Sequence, residues 1–157
     1  KLLFEIQSTG STGAMRPLYD ALPDIDRVSF DDTIPVGDGQ EGSELAFDIV
    51  ARDRMGDPLV VANLDESREP TTSEAMGPLV NDASDVCEEH ETLVAAFAVT
   101  ASFFESDALS TAREATTGSL LSREKYRSYV KLSRKNGFHL CLVEFREETF
   151  HLAVPEL

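Results

Sequence analysis

The chain reads as an α/β protein, a sandwich with a mixed central sheet. Three observations carry that reading. Residues 45–64 place two apolar runs, LAFDIVAR and PLVVANL, on either side of a short turn containing Gly56, the pattern of a β-hairpin. A stretch of helical spacing then separates this hairpin from LVAAFAVTA (93–101). That segment is continuously apolar, as a strand buried on both faces must be. A hairpin, a crossover helix and a buried strand in sequence give a mixed sheet rather than a regularly alternating one.

Taken in order, LLFEI (2–6) is a short apolar run and STGSTGA (8–14) a small-residue segment. AMRPLYDAL (14–22) has helical spacing at Met15, Leu18, Tyr19 and Leu22, and Pro23 stops it. IDRVSF (25–30) is a candidate strand, and the glycine-rich DDTIPVGDGQEGSE (31–44) reads as an exposed loop. After the hairpin, a cap at Thr72 or Ser73 opens a helix to about His90. Its apolar face is Met76, Leu79, Val80, Ala83, Val86 and Cys87. A short helix follows over 106–116, then a second over 123–136 that Gly137 ends. FHLCLVEF (138–145) and TFHLAV (149–154) close the chain as a hairpin across REE.

The length of 157 residues suits one domain, 1–157; the start without Met suggests a domain of a longer protein, and the stop just after a strand-like run suggests its C-terminal part. No apolar run reaches the ~18–20 residues of a membrane helix, which argues against a membrane partner. Two cysteines, Cys87 and Cys141, make no disulfide framework and fit buried thiols in a reducing cytoplasm. The charge is the most prominent global property: 29 acids against 14 bases, a formal net charge of −15, with only four lysines. Such a surface repels nucleic acid and anionic membrane. It also fits a salt-in, haloarchaeal cytoplasm, where molar salt shortens the Debye length to about 3 Å and charge steers little.

The diagnostic piece is FDIVARDRMGDPLVVAN (47–63), which puts one carboxylate, Asp48, inside an apolar strand. With the order helix, three-strand meander, helix, strand over residues 14–101, this piece resembles the PD-(D/E)xK, or restriction-endonuclease-like, nuclease superfamily. The resemblance implies a divalent ion (Mg²⁺ or Mn²⁺) held by an acid on the second strand and an acid–x–lysine triplet on the third. Two carboxylates would hold the ion that activates water, and the lysine would offset transition-state charge. Asp48 matches the first position. Where the triplet belongs the chain has Val61-Ala62-Asn63, which supplies neither the acid nor the ammonium. Asp65, two residues past Asn63, and Glu74, at the start of the next helix, are the acids that could substitute.

A second candidate is SREKYRSYVKLSRKN (122–136). Six of the fourteen bases fall between Arg123 and Lys135, against one acid. On a helix Arg123, Arg127, Lys131, Arg134 and Lys135 would offer phosphate or an acidic partner domain a basic surface. STGSTGA lacks the Gly-Lys-Ser/Thr ending of a nucleotide loop. Cys87, His90, His139, Cys141 and His151 lack zinc-finger spacing. The expectation is a non-catalytic nuclease-like domain that contacts protein, including other domains of its parent chain, or nucleic acid. The alternatives are a divergent nuclease built on Asp48 with Asp65 or Glu74, and a regulatory or ligand-binding module of other descent.

Overall fold

The computed structural model describes residues 16–37, 42–117, 129–130 and 137–153. The elements are α1 (Arg16–Ala21, continued by a 3-10 turn at Leu22–Asp24), β1 (Arg27–Val36), β2 (Ser43–Arg52), β3 (Pro58–Asp65), α2 (Ser73–Glu89) and β4 (Ala95–Thr100). Then come α3 (Ser106–Thr117), β5 (Tyr129–Val130), β6 (Phe138–Arg146) and β7 (Thr149–Ala153). One mixed sheet runs in the order β1-β2-β3-β4-β6-β5, with β7 also paired to β6. β1, β2 and β3 form an antiparallel meander, while β3, β4 and β6 are parallel. The α/β class, the central hairpin and the buried strand beside it match the sequence expectation.

The β2–β3 turn shows how local sequence sets this order. Asp53 accepts hydrogen bonds from the N–H groups of Met55 (2.8 Å) and Asp57 (2.9 Å) through the same carboxylate oxygen. Gly56 takes φ +96°, which an L side chain resists, and so lets the chain reverse within the turn. Arg52 holds the turn to β1. Its guanidinium donates to the Gly56 carbonyl (3.2 Å), the Thr33 carbonyl (2.9 Å) and the Asp32 carboxylate (3.2 Å).

Because β3, β4 and β6 follow one another across the sheet without reversal, right-handed crossovers place both α2 and α3 on one face. Met76, Leu79, Val80, Ala83 and Val86 of α2 and Ala108 and Ala112 of α3 share a core with Val61, Ala96, Leu140 and Leu142. The other face carries a smaller core, with Leu18 of α1 against Ala62, Ala95, Phe97, Cys141 and Val143.

Two expectations are corrected. The segment 31–36 is strand, not loop: Ile34 and Val36 alternate into the core, and their pairing with Leu45 and Ser43 outweighs the turn-like composition around them. The helix expected over 123–136 does not hold at Tyr129–Val130, which pair antiparallel with His139 and Phe138. The isolated-strand tendency of Tyr and Val is satisfied by an open edge of β6 there. The contact residues Arg123, Arg127, Lys131, Arg134 and Lys135 lie outside the described residues.

Candidate functional site at the carboxyl end of the parallel strands

In an open α/β sheet, ligands bind at the carboxyl ends of the parallel strands. Here that end carries a polar row on the face covered by α2 and α3. Asp65 of β3 pairs with Thr100 of β4, which pairs with Glu144 of β6. Thr100 and Glu144 are buried, as is Thr71 in the loop entering α2.

The row is internally bonded. The Ser67 N–H donates to one oxygen of Asp65 (2.9 Å), and the Thr71 hydroxyl lies 2.9 Å from the other. Thr71 and Thr100 hydroxyl oxygens are 2.8 Å apart, and the Ser102 N–H reaches the Thr100 hydroxyl oxygen at 3.1 Å. A hydroxyl carries one proton and an ionised carboxylate only accepts. The consistent assignment is therefore directional: Ser102 donates to Thr100, Thr100 to Thr71, and Thr71 to Asp65. Burial opposes ionisation of Asp65, but the bonds from Ser67 and Thr71 outweigh it and hold its carboxyl below the usual value.

Glu144 completes the edge. One of its oxygens accepts the Phe104 N–H (3.2 Å), and the other pairs with Arg146. Two backbone bonds of 2.9 Å, from Thr71 N–H to the Phe103 carbonyl and from Glu105 N–H to the Thr71 carbonyl, join the loops that lead into α2 and α3. Asp107, in the first turn of α3, takes the Ser73 N–H (3.2 Å) and hydroxyl (2.8 Å) at the start of α2. Those bonds from Ser73 are the largest influence on the Asp107 carboxyl and lower its pKa. The helix starts, which favour negative charge, thus receive a carboxylate from the chain itself.

The sequence-proposed acids take separate places. Asp48 lies on β2 at the point where the β2–β3 ladder, regular from Val60 to Ala62, stops. Its carboxylate accepts the Leu64 N–H at 2.5 Å, so the side chain supplies the acceptor that the diverging backbone no longer provides. Asn63 lies on the same face as Val61 and Asp65 by strand alternation, and its Oδ1 is buried without a hydrogen-bond partner. Glu74 is exposed in the first turn of α2. Among the described residues, no three His, Cys, Asp or Glu side chains gather as a metal would require.

Thr71, Thr100, Asp107 and Glu144 were not singled out by the sequence. They matter through partners 29 to 40 residues away, and short motifs do not record such pairings. The alternation of Glu144 with Leu140 and Leu142, both core residues, is the one local sign that it points inward.

Among the described residues no helix is long and apolar enough to cross a membrane. No curated protein and no solved structure matches the chain. A family model does match, over residues 1–157, and the chain belongs to that family, described as a domain of unknown function (DUF7527).

Proposed function

We propose that the chain is a non-catalytic domain with a nuclease-like core, serving contacts with protein or nucleic acid in a salt-adapted cytoplasm. The observation that carries this reading is the engagement of its acids. Asp48 closes the end of the β2–β3 ladder, and both oxygens of Asp65 take donors from the loop entering α2. These donors compete with a divalent ion for the same carboxylates, and Val61-Ala62-Asn63 offers no acid or lysine to help. The helix, antiparallel meander, helix, parallel strand order supports the nuclease-like part of the proposal.

The test is a Mn²⁺ titration by calorimetry together with cleavage of supercoiled and linear DNA. The expected result is no saturable binding and no cleavage. Mn²⁺-dependent cleavage that disappears in Asp48→Asn or Asp65→Asn would overturn the non-catalytic reading in favour of a divergent nuclease. Nucleic-acid contact is tested separately by charge reversal at Arg123, Arg127 and Lys131. Loss of low-salt DNA or RNA binding assigns the contact to that segment, and unchanged affinity leaves protein as the partner.

A further inference from the structure

β1 ends the sheet, and among the described residues it pairs with β2 alone. At the other side β5 and β7 both pair along β6. A terminal strand presents N–H and C=O groups that a strand of another chain can meet. β1 is ten residues long, and a flat edge of that length would template such pairing. Three successive features along β1 interrupt it. Asp31, at φ +48°, falls between the pairs Phe30–Ile49 and Asp32–Phe47 and turns the strand out of its pleat. Thr33 follows with both backbone groups engaged by side chains. Its N–H donates to one oxygen of Asp32 (2.9 Å), and its carbonyl accepts from the Arg52 guanidinium (2.9 Å). Arg52 also donates to the other oxygen of Asp32 (3.2 Å), which closes the three residues into one network. Pro35 stands two residues beyond Thr33 and is therefore turned to the same side. It is exposed and has no N–H to donate.

The Asp32–Arg52 pair is not a loose surface contact. The Arg52 side chain is 13% exposed and that of Asp32 32%. Burial opposes ionisation of Asp32, but the bonds from Thr33, Arg52 and Ser29 outweigh it and hold its carboxyl below the usual value. The carboxylate is thus kept as the acceptor that Thr33 and Arg52 require. We infer that the Asp32–Arg52 pair and Pro35 close the outer edge of β1 to strand addition by a second copy of this chain, with the break at Asp31 confining any remaining ladder to Arg27–Phe30. The closure is made by side chains and a proline, and not by a covering element, so two substitutions are enough to open it. It holds whatever the domain contacts elsewhere, and it does not depend on the chemistry of Asp48 or Asp65.

The experiment uses the full chain, its double variant Asp32→Val with Pro35→Val, and Pro35→Val alone. Each is confirmed folded by circular dichroism and by its urea midpoint. Pro35→Val restores one N–H at an exposed position and removes no bond of the network, so it decides the matter if the double variant does not fold. Sedimentation velocity reads association, and amide hydrogen exchange reads where it occurs. The expected result is a monomeric native chain and a double variant that associates at least about tenfold more tightly, with Pro35→Val between them. The Thr33 amide and the new amide at position 35 should become protected in the associated form. Association should survive high salt, because backbone hydrogen bonds and not charges hold it, and it should be indifferent to Phe30→Ser. Folded variants as monomeric as the native chain would overturn the inference. So would a native chain that already dimerises with Thr33 protected. Association lost in Phe30→Ser would assign the contact to exposed apolar residues and likewise overturn it.

Discussion

Asp31 of β1 and Asp48 of β2 fall at the gap in the β1–β2 ladder, between the pairs Phe30–Ile49 and Asp32–Phe47. Asp31 adopts φ +48°, the left-handed region, at this point. Phe47 and Val50, three residues apart, both reach the α2/α3 core, where strict alternation would send them to opposite faces. The acid in the apolar strand therefore marks a break in the pleat.

The left-handed backbone makes position 31 a strained one. Asp31→Gly removes that strain, and Asp31→Asn tolerates the conformation. The first is expected to raise stability by about 1 kcal/mol and the second by less, read as an increase in the urea midpoint with unchanged slope. A lowered midpoint for both variants would show that the break depends on the Asp31 carboxylate.

Asp48 is expected to act through its oxygen as an acceptor and not through its charge. Asp48→Asn keeps an acceptor for the Leu64 N–H and should be nearly neutral. Asp48→Ala leaves that N–H without its partner and should cost about 1–2 kcal/mol. Equal destabilisation by the two would indicate that the charge itself is required.

Thr71 joins Asp65 to Thr100 and so holds the loop into α2 against two strands. Thr71→Val keeps the shape and removes the hydroxyl, leaving the Asp65 carboxylate without that donor and the buried Thr100 hydroxyl without its acceptor, at a cost of about 2 kcal/mol. Amide hydrogen exchange should quicken at Ser67 and Glu105 before it does in β4. Uniform quickening across the sheet would argue for a global loss instead.

How much of this was readable beforehand follows from the range of each signal. The apolar face of α2, Met76 to Cys87, is periodic within one element, and all six residues are buried. β4 announces itself by an unbroken apolar run. The second half of β1 was concealed because Asp31, Asp32 and Pro35 look like turn residues, although Ile34 and Val36 carried the alternation. Asp48 could be recognised as unusual but not explained, since its partner Leu64 is set by register. The polar row of Asp65, Thr100 and Glu144 exists only once three strands are aligned.

Burial pushes the His139 imidazole down from 6.5 to about 4. The folded protein therefore holds this group neutral, while the unfolded chain protonates it near pH 6.5. The stability it permits is full above pH 6.5 and falls as the pH drops from 6.5 towards 4. The loss should reach about 2 kcal/mol by pH 5. The carboxyls of Asp32, Asp65 and Asp107, all lowered, act in the same direction but below their unfolded value of 3.8. Urea midpoints from pH 7.5 to 5 should decline in the native chain and flatten in His139→Gln. An equal decline in the variant would assign the effect to other groups.

The β6–β7 hairpin closes through Glu147 and Glu148, at φ +50° and +59°, between the paired residues Arg146 and Thr149. This is the two-residue turn in which both central positions are left-handed, a conformation suited to Asn-Gly. Two adjacent glutamates bear that backbone cost. Replacing them by Glu147→Asn and Glu148→Gly is expected to stabilise the chain by about 1–2 kcal/mol. The gain should persist in high salt, because most of it comes from the backbone and not from charge. Thermal unfolding at low and high salt measures both parts. A gain that vanishes in salt would show that repulsion between the two carboxylates, and not the turn geometry, is what the substitution removes.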